Sequence, residues 1–195
     1  MVNVVIITGG CAVGKDTIAR LLKEEYKTFV SDTTRPKRVG ERDGVEYNFL
    51  SEEMFFSKVN NADYVETREY ETKEGIWYYG LPAREVIEAF SQGGNYMVIL
   101  DPQGAKTFIE CLYEVGEKSE MVITTVFLTA SIETRLRRYM NRDSLSKQQY
   151  LEMFRRFLAD EKEVEPYKED YDIVLKNEDE NDIIKIIGII KSLIK

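Results

Sequence analysis

The chain has 195 residues, a formal charge of −8, no histidine and two cysteines. That length suits one domain with a sheet covered on both faces. The lack of imidazole excludes any mechanism built on a histidine base or histidine metal ligand, and the acidic balance (pI near 4.9) is the wrong sign for coating a nucleic acid polymer, which depends on clustered Lys and Arg. Cys11 and Cys111 are too few for a disulfide framework and read as reduced thiols. No apolar run approaches the ~20 residues a membrane span needs. Met1-Val2-Asn3 passes into an apolar segment without a charged leader and cleavage site, so a cytoplasmic protein without membrane contact is expected.

In chain order, the first predicted strand is Val4–Thr8. It leads into Gly9-Gly10-Cys11-Ala12-Val13-Gly14-Lys15-Asp16-Thr17, and Ile18-Ala19-Arg20-Leu21-Leu22 then has a helical pattern. Strand, glycine loop and helix in this order turn backbone N–H groups toward one concavity, and Lys15 adds a full positive charge there, a site suited to a nucleotide polyphosphate. Gly9-x4-Gly14-Lys15 has P-loop spacing, but Asp16 stands where Ser or Thr would bind Mg²⁺. Asp16 could hold the metal directly or through water, or Thr17 could take part if the loop is shifted. A turn that binds nothing has no use for a lysine at that spacing.

Further strands are predicted at Thr28–Asp32, Tyr96–Asp101, Met121–Leu128 and Asp172–Leu175, separated by helices or an inserted segment, which implies a mostly parallel sheet. Residues 33 to 80 break the alternation with dense charge and aromatics and read as an inserted, mainly β subdomain. Pro82 opens a helix whose Val86, Ile87 and Phe90 are expected on one side, ending at Gly93-Gly94. Arginines concentrate at positions 35 to 42 and 135 to 156, which marks local anion sites on an acidic body. Ser146 with Gln149 predicts a capping box, and Leu151, Phe154 and Leu158 a buried stripe with Arg156 opposite. Ile183, Ile184, Ile186, Ile187, Ile190 and Leu193 predict a last helix packed on the core. There is no internal repeat, low-complexity segment or Pro/Gly/Ser-rich linker.

The run Thr33-Thr34-Arg35-x-x-Arg38-x-Gly40-Glu41-x-x-Gly44-x-x-Tyr47 resembles the acceptor motif of guanylate kinases at every fixed position, and the resemblance extends over almost the whole chain. It implies an α/β fold, a P-loop NTPase three-layer α/β/α with a central parallel sheet, an inserted mainly β NMP-binding subdomain and a helical lid. The single domain would divide into core (1-32, 82-130 and 160-195), NMP-binding region (33-81) and lid (131-159). The implied reaction is ATP-dependent phosphorylation of GMP or dGMP with Mg²⁺, by a monomer or homodimer. Two arginines three apart offer planar donors for a phosphate. The resemblance accordingly places the GMP phosphate on Arg35, Arg38, Tyr47 and Tyr79 and the base on Ser31 and Glu66, with Asp101 also assigned to GMP. It gives ATP to Gly9, Gly10, Cys11, Ala12, Val13, Gly14, Lys15, Asp16, Thr17 and Asn177, with Asp16 on the metal. Lys15, Arg38, Arg138, Arg155 and Arg156 would act on the transferring group, although the family's lid pattern would put its second arginine at Tyr139, which leaves Arg138 and Arg142 as alternatives.

The chain departs from the family where Leu81 replaces a base-contacting Ser or Thr, where Ile99 replaces the first aspartate of Asp-x-Asp, and in a longer loop from Tyr70 to Trp77. Three other kinds of protein come into view. Ribose bisphosphate phosphokinases also carry Gly-Lys-Asp but lack the acceptor motif, and a phage-type deoxynucleoside monophosphate kinase is a second small-molecule kinase of the same superfamily. Scaffold modules of this fold bind proteins and usually lack the loop lysine that this chain keeps as Lys15.

Overall fold

The computed structural model describes residues 1–38, 40–72, 74–115, 121–141 and 146–194. In chain order the elements begin with β1 (Val2–Gly9), α1 (Lys15–Leu21), β2 (Lys27–Thr28), β3 (Asp32–Thr33), β4 (Asn48–Phe49) and α2 (Glu52–Asn60). The hairpin β5 (Tyr64–Thr72) and β6 (Gly75–Pro82) follows, then α3 (Ala83–Gln92), β7 (Gly94–Ile99), α4 (Pro102–Val115) and β8 (Met121–Thr129). The chain closes with α5 (Ile132–Met140), α6 (Lys147–Glu163), a 3-10 turn (Glu165–Asp170), β9 (Ile173–Lys176) and α7 (Glu180–Lys191).

The central sheet has the order β2-β7-β1-β8-β9 with every pair parallel. β1 is buried along its whole length, as a strand covered on both faces must be. Alternate side chains feed two cores. Val4 and Ile6 pack with Val98, Phe108 and Leu112 under α3 and α4, while Val5 and Ile7 pack with Ile18, Leu22, Ile186 and Ile190 under α1 and α7. The layering is the expected α/β/α, and it delivers the C-terminal end of β1 to the glycine loop.

A second sheet, β4-β3-β6-β5, is antiparallel except for the β3–β4 pair. Its mainly β character agrees with the sequence pattern, with α2 added. The predicted strand Thr28–Asp32 divides between the two sheets: Lys27–Thr28 pairs with β7, and Asp32–Thr33 pairs with β4 and β6. Buried Asp32 accounts for the switch, because its carboxylate takes hydrogen bonds from Asn48 (2.8 Å), Tyr64 (2.8 Å) and Lys58 (2.5 Å), all in the second unit. The segment Tyr70 to Trp77, expected as a loop, is mostly strand, with Tyr70 opposite Trp77 and Thr72 opposite Gly75.

Three helix faces differ from expectation. Ile87 is 61% exposed and α3 buries Val86 and Ala89, whose spacing matches the helical period better. Leu151, Phe154 and Leu158 of α6 are exposed, and the buried stripe is Met153, Phe157 and Asp160 with Tyr150 beside it. Ile184 of α7 is also exposed. The two readings of α6 differ by a rotation of about 100°, one residue, and its capping box forms as predicted between Ser146 and Gln149. Among the described residues no helix is long and apolar enough to cross a membrane.

Glu178, just beyond β9, accepts hydrogen bonds from the N–H (2.7 Å) and hydroxyl (2.9 Å) of Ser131, the N-cap of α5. The Thr134 hydroxyl, then Ser131, hold its carboxyl down to about 2. A carboxylate depressed on folding contributes stability above its unfolded value and loses it as the pH falls toward the folded one. Melting curves between pH 6 and pH 2.5 should therefore show the wild type losing its advantage over Glu178→Gln progressively below about pH 4.5. A constant gap across that range would show that the cap is not held by charge.

Candidate active site

The loop after β1 bends through positive φ at Gly9, Ala12 and Gly14. Gly14 has φ 103°, and a Cβ there would stand 2.6 Å from the Asn177 amide, so only glycine fits. Gly14 also begins α1 without any side-chain cap, which leaves the N–H groups of the first turn directed outward. Lys15 folds back over the loop and donates to the carbonyls of Gly9 (2.6 Å) and Gly10 (2.9 Å). Burial lowers its pKa against the raising effects of Asp16, Cys11 and Asp160. Asp16 is exposed on the first turn of α1, and Thr17 is half-buried behind it.

The underside of the loop is held by side chains from distant elements. The Asn177 amide donates to Val13 O (2.8 Å), and Arg138 reaches the same carbonyl (3.2 Å) and the Asn177 side-chain oxygen (3.4 Å). Both predicted residues thus come to the donor loop, as a brace against its backbone. Arg142 lies outside the described residues.

Sequence reasoning missed a second brace. Buried Arg135 on α5 ion-pairs with Asp160 on α6, lies 4.5 Å from the Phe157 ring centroid and donates through Nε to Cys11 O (2.9 Å). The Asp160 carboxylate in turn accepts the Cys11 N–H (2.7 Å). A Cβ at Gly10 would collide with this pair, 2.7 Å from Arg135 and 2.9 Å from Asp160. The Cys11 amide, expected on a phosphate, is thus directed at a carboxylate of the helix that carries Arg155 and Arg156. The helical spacing Met153, Phe157, Asp160 on one face was the available signal, hidden by the more apolar Leu151, Phe154 and Leu158.

On the acceptor side, Arg35 is buried and forms a bidentate pair with Glu41 (2.9 and 3.0 Å), with Tyr47 and Phe49 rings 5.3 and 5.5 Å from its guanidinium. The Arg38 N–H also reaches Glu41 (2.8 Å), so the Gly40-Glu41 pair of the motif shapes the turn on which both arginines stand. Among the described residues the Arg38 guanidinium has no ion pair; burial, then Arg35 and Arg156, lower its pKa. Tyr47 and Tyr79 meet edge to face with centroids 5.6 Å apart, and burial pushes the Tyr47 hydroxyl up to about 12.

Arg155 and Arg156 are both held by Glu152 (2.8 to 2.9 Å). Arg156 lies 5.9 Å from the Trp77 ring centroid of β6 and is electrostatically coupled to Cys11 and Tyr79; burial opposes its charge, but these groups raise its pKa overall. The helix α6 therefore meets the glycine loop through Asp160 and the second sheet through Arg156. Ser31 and Glu66 are buried below the acceptor turn. Both Glu66 oxygens accept from Arg68 (2.7 and 3.2 Å), a residue sequence reasoning passed over although Glu66, Arg68 and Tyr70 share one face of β5 by strand alternation. Asp101 accepts the Gly104 N–H (2.7 Å), bonds the Tyr70 hydroxyl and lies 3.6 Å from Arg68.

The brace at Cys11 gives a test. Asp160→Asn removes the charge that Arg135 needs while keeping the shape, and breaking a buried pair costs on the order of 3–5 kcal/mol. The double variant Arg135→Met with Asp160→Leu should recover most of that stability in urea titrations but not the loop position. Its KM for the donor nucleotide should therefore stay raised several-fold while KM for the acceptor is unchanged. Recovery of both would show that the pair only supports the fold.

Comparison with known proteins agrees with this geometry. The family model "Guanylate kinase" matches residues 1–194. The chain is similar to a guanylate kinase of Clostridium perfringens, 31% identical over 186 residues that cover 94% of this chain and 79% of the relative. A guanylate kinase of Prochlorococcus marinus is 30% identical over 194 residues, 97% of each chain. The crystal structure of guanylate kinase from Anaplasma phagocytophilum superposes with a TM-score of 0.68 at 26% identity, covering 98% of this chain and 85% of that one. With the match running from end to end and the phosphate loop and acceptor turn on the elements where their motifs predicted them, the chain belongs to the guanylate kinase family.

Proposed function

We propose that the chain transfers the γ-phosphoryl group of ATP to GMP and dGMP in a single in-line displacement, with residues 131–159 closing as a lid over the cleft. The observation that carries this reading is the position of α6, whose Asp160 accepts the Cys11 N–H of the glycine loop while its Arg156 lies against Trp77 of the second sheet.

Donor phosphates bind the outward N–H groups of residues 12 to 17 and draw Lys15 from the Gly9 and Gly10 carbonyls onto their oxygens. Burial of the lysine strengthens that contact by excluding water. The acceptor phosphate meets Arg38, whose guanidinium lacks a carboxylate among the described residues, and then Arg35 over the Tyr47 ring. Arg156 and Arg155, with Arg138 behind the loop, offset charge developing on the group in flight. Positioning in a near-attack geometry and charge stabilisation are the whole of the catalysis, since the phosphoryl group needs no covalent relay.

Mg²⁺ fits the residues present. Asp16 offers an exposed carboxylate free of ion pairs among the described residues, and one carboxylate beside substrate phosphates is a usual donor set for this ion. The bound ion would neutralise phosphate charge. Among the described residues no group of three potential ligands could retain it without nucleotide.

Two substitutions separate the sites. Lys15→Met should lower kcat/KM about 10²–10³-fold while GMP still raises the melting temperature. Arg38→Met should do the reverse, abolishing the GMP shift and preserving the ATP shift. Loss of ATP binding in Arg38→Met would overturn the assignment of that arginine to the acceptor, and failure of the wild type to form ADP with GMP would overturn the reaction.

A further inference from the structure

We infer that Arg68 determines base specificity, so that the acceptor site reads the lactam edge of a purine, N1–H beside C6=O, and accepts inosine monophosphate alongside GMP. The inference rests on the reading of 33–81 as the acceptor site.

Three observations lead to it. First, the Glu66 carboxylate is 4% exposed and already engaged through both oxygens, by Arg68 Nε at 2.7 Å and Arg68 Nη2 at 3.2 Å. A guanine would use those two oxygens together, for N1–H and the 2-amino group. With the fork of Arg68 in that place, a base can add one donor to a remaining lone pair but cannot form the paired contact.

Second, Arg68 keeps N–H groups for a ligand. Of its five donors, two face Glu66, and Nη1 is 3.6 Å from Asp101, an ion-pair distance beyond a good hydrogen bond. The side chain is only 12% exposed, so these donors lie inside the site. Its stem has room because position 104 is glycine: a Cβ there would stand 2.9 Å from Arg68 Cδ.

Third, Leu81, opposite Glu66 in the β5–β6 register, is fully buried and has no hydroxyl to give a base carbonyl. Arg68, paired with Glu66, can supply an N–H donor in its place. Glu66 and Arg68 thus present an acceptor next to a donor, the complement of N–H next to C=O. Guanine and hypoxanthine share that edge. Adenine reverses it, placing a lone pair against the carboxylate and an amino group against the guanidinium, and a buried polar mismatch of that kind is strongly rejected.

Initial-rate measurements of ADP formation with GMP, IMP and AMP test this on the wild type, Arg68→Met and Arg68→Lys. For the wild type, kcat/KM with IMP should lie within about tenfold of GMP, and AMP at least about 10³-fold below. In Arg68→Met the freed Glu66 regains the 2-amino contact while O6 loses its donor, so the GMP:IMP ratio should rise about 10–100-fold, the worth of one hydrogen bond to a charged group. Arg68→Lys, which keeps the charge and one donor, should fall between. A ratio reports base recognition and is unmoved by a general loss of folded protein. Wild-type turnover with GMP but with IMP more than 10³-fold lower overturns the inference alone, as does a ratio unchanged in both variants. No turnover with GMP overturns the reaction and the inference with it.

Discussion

Gathering cations around one cleft is the constraint from which the rest of this structure follows. Arg35 and Arg156 lie close enough to Arg38 to oppose its charge, since like charges repel. The chain is acidic overall, and the carboxylates that balance this cleft are specific ones: Glu41 on Arg35, Glu152 on Arg155 and Arg156, Asp160 on Arg135 and Glu66 on Arg68. Each carboxylate fixes where its guanidinium points. On the proposed reading, substrate phosphates complete a neutralisation that the protein supplies only in part, and Arg38, whose guanidinium has no ion pair among the described residues, takes the place nearest the incoming phosphate.

The carboxylates also connect the parts that must move together. Glu41 ties Arg35 to the turn that carries Arg38, so the two acceptor arginines share one support. Asp160 does the same between the lid and the donor loop, because α6 bears Asp160 at one place and Arg155 and Arg156 one turn earlier. Contact of α6 with the loop backbone therefore fixes where Arg155 and Arg156 stand relative to the glycine loop. Buried ion pairs of this type are poor sources of net stability, and their value here lies in fixing direction.

The second sheet carries the residues proposed to read the base, as the first carries the glycine loop proposed to hold the phosphates. Asp32 anchors its first strand through Asn48, Lys58 and Tyr64, and the strand alternation of β5 then aims Glu66, Arg68 and Tyr70 into one site. The pairing of Glu66 with Arg68 replaces a bare carboxylate by a neutral donor–acceptor edge. On the inference drawn from this pair, selection depends on the order of groups along the base edge, more than on the count of amino groups.

Local spacing was enough to read much of this from the residues alone. The strand Val4–Thr8, the glycine loop with Lys15, the acceptor run Thr33 to Tyr47 and the capping box at Ser146 are short-range patterns whose chemistry is complete within a few residues, and each stands where it was expected. Tertiary structure decided what depends on partners far away in the chain. It turned α6 by one residue, since Asp160 pairs with Arg135 and caps Cys11, and no local rule ranks a buried aspartate above Leu151, Phe154 and Leu158. It split Thr28–Asp32 between two sheets because the partners of Asp32 lie 16 to 32 residues onward. It also gave Glu66 to Arg68, a neighbour visible by strand alternation only once β5 is known to be a strand with that face inward. Periodicity shows which way a side chain faces, whereas the identity of a charge's partner is settled only when folding brings distant segments within hydrogen-bond distance.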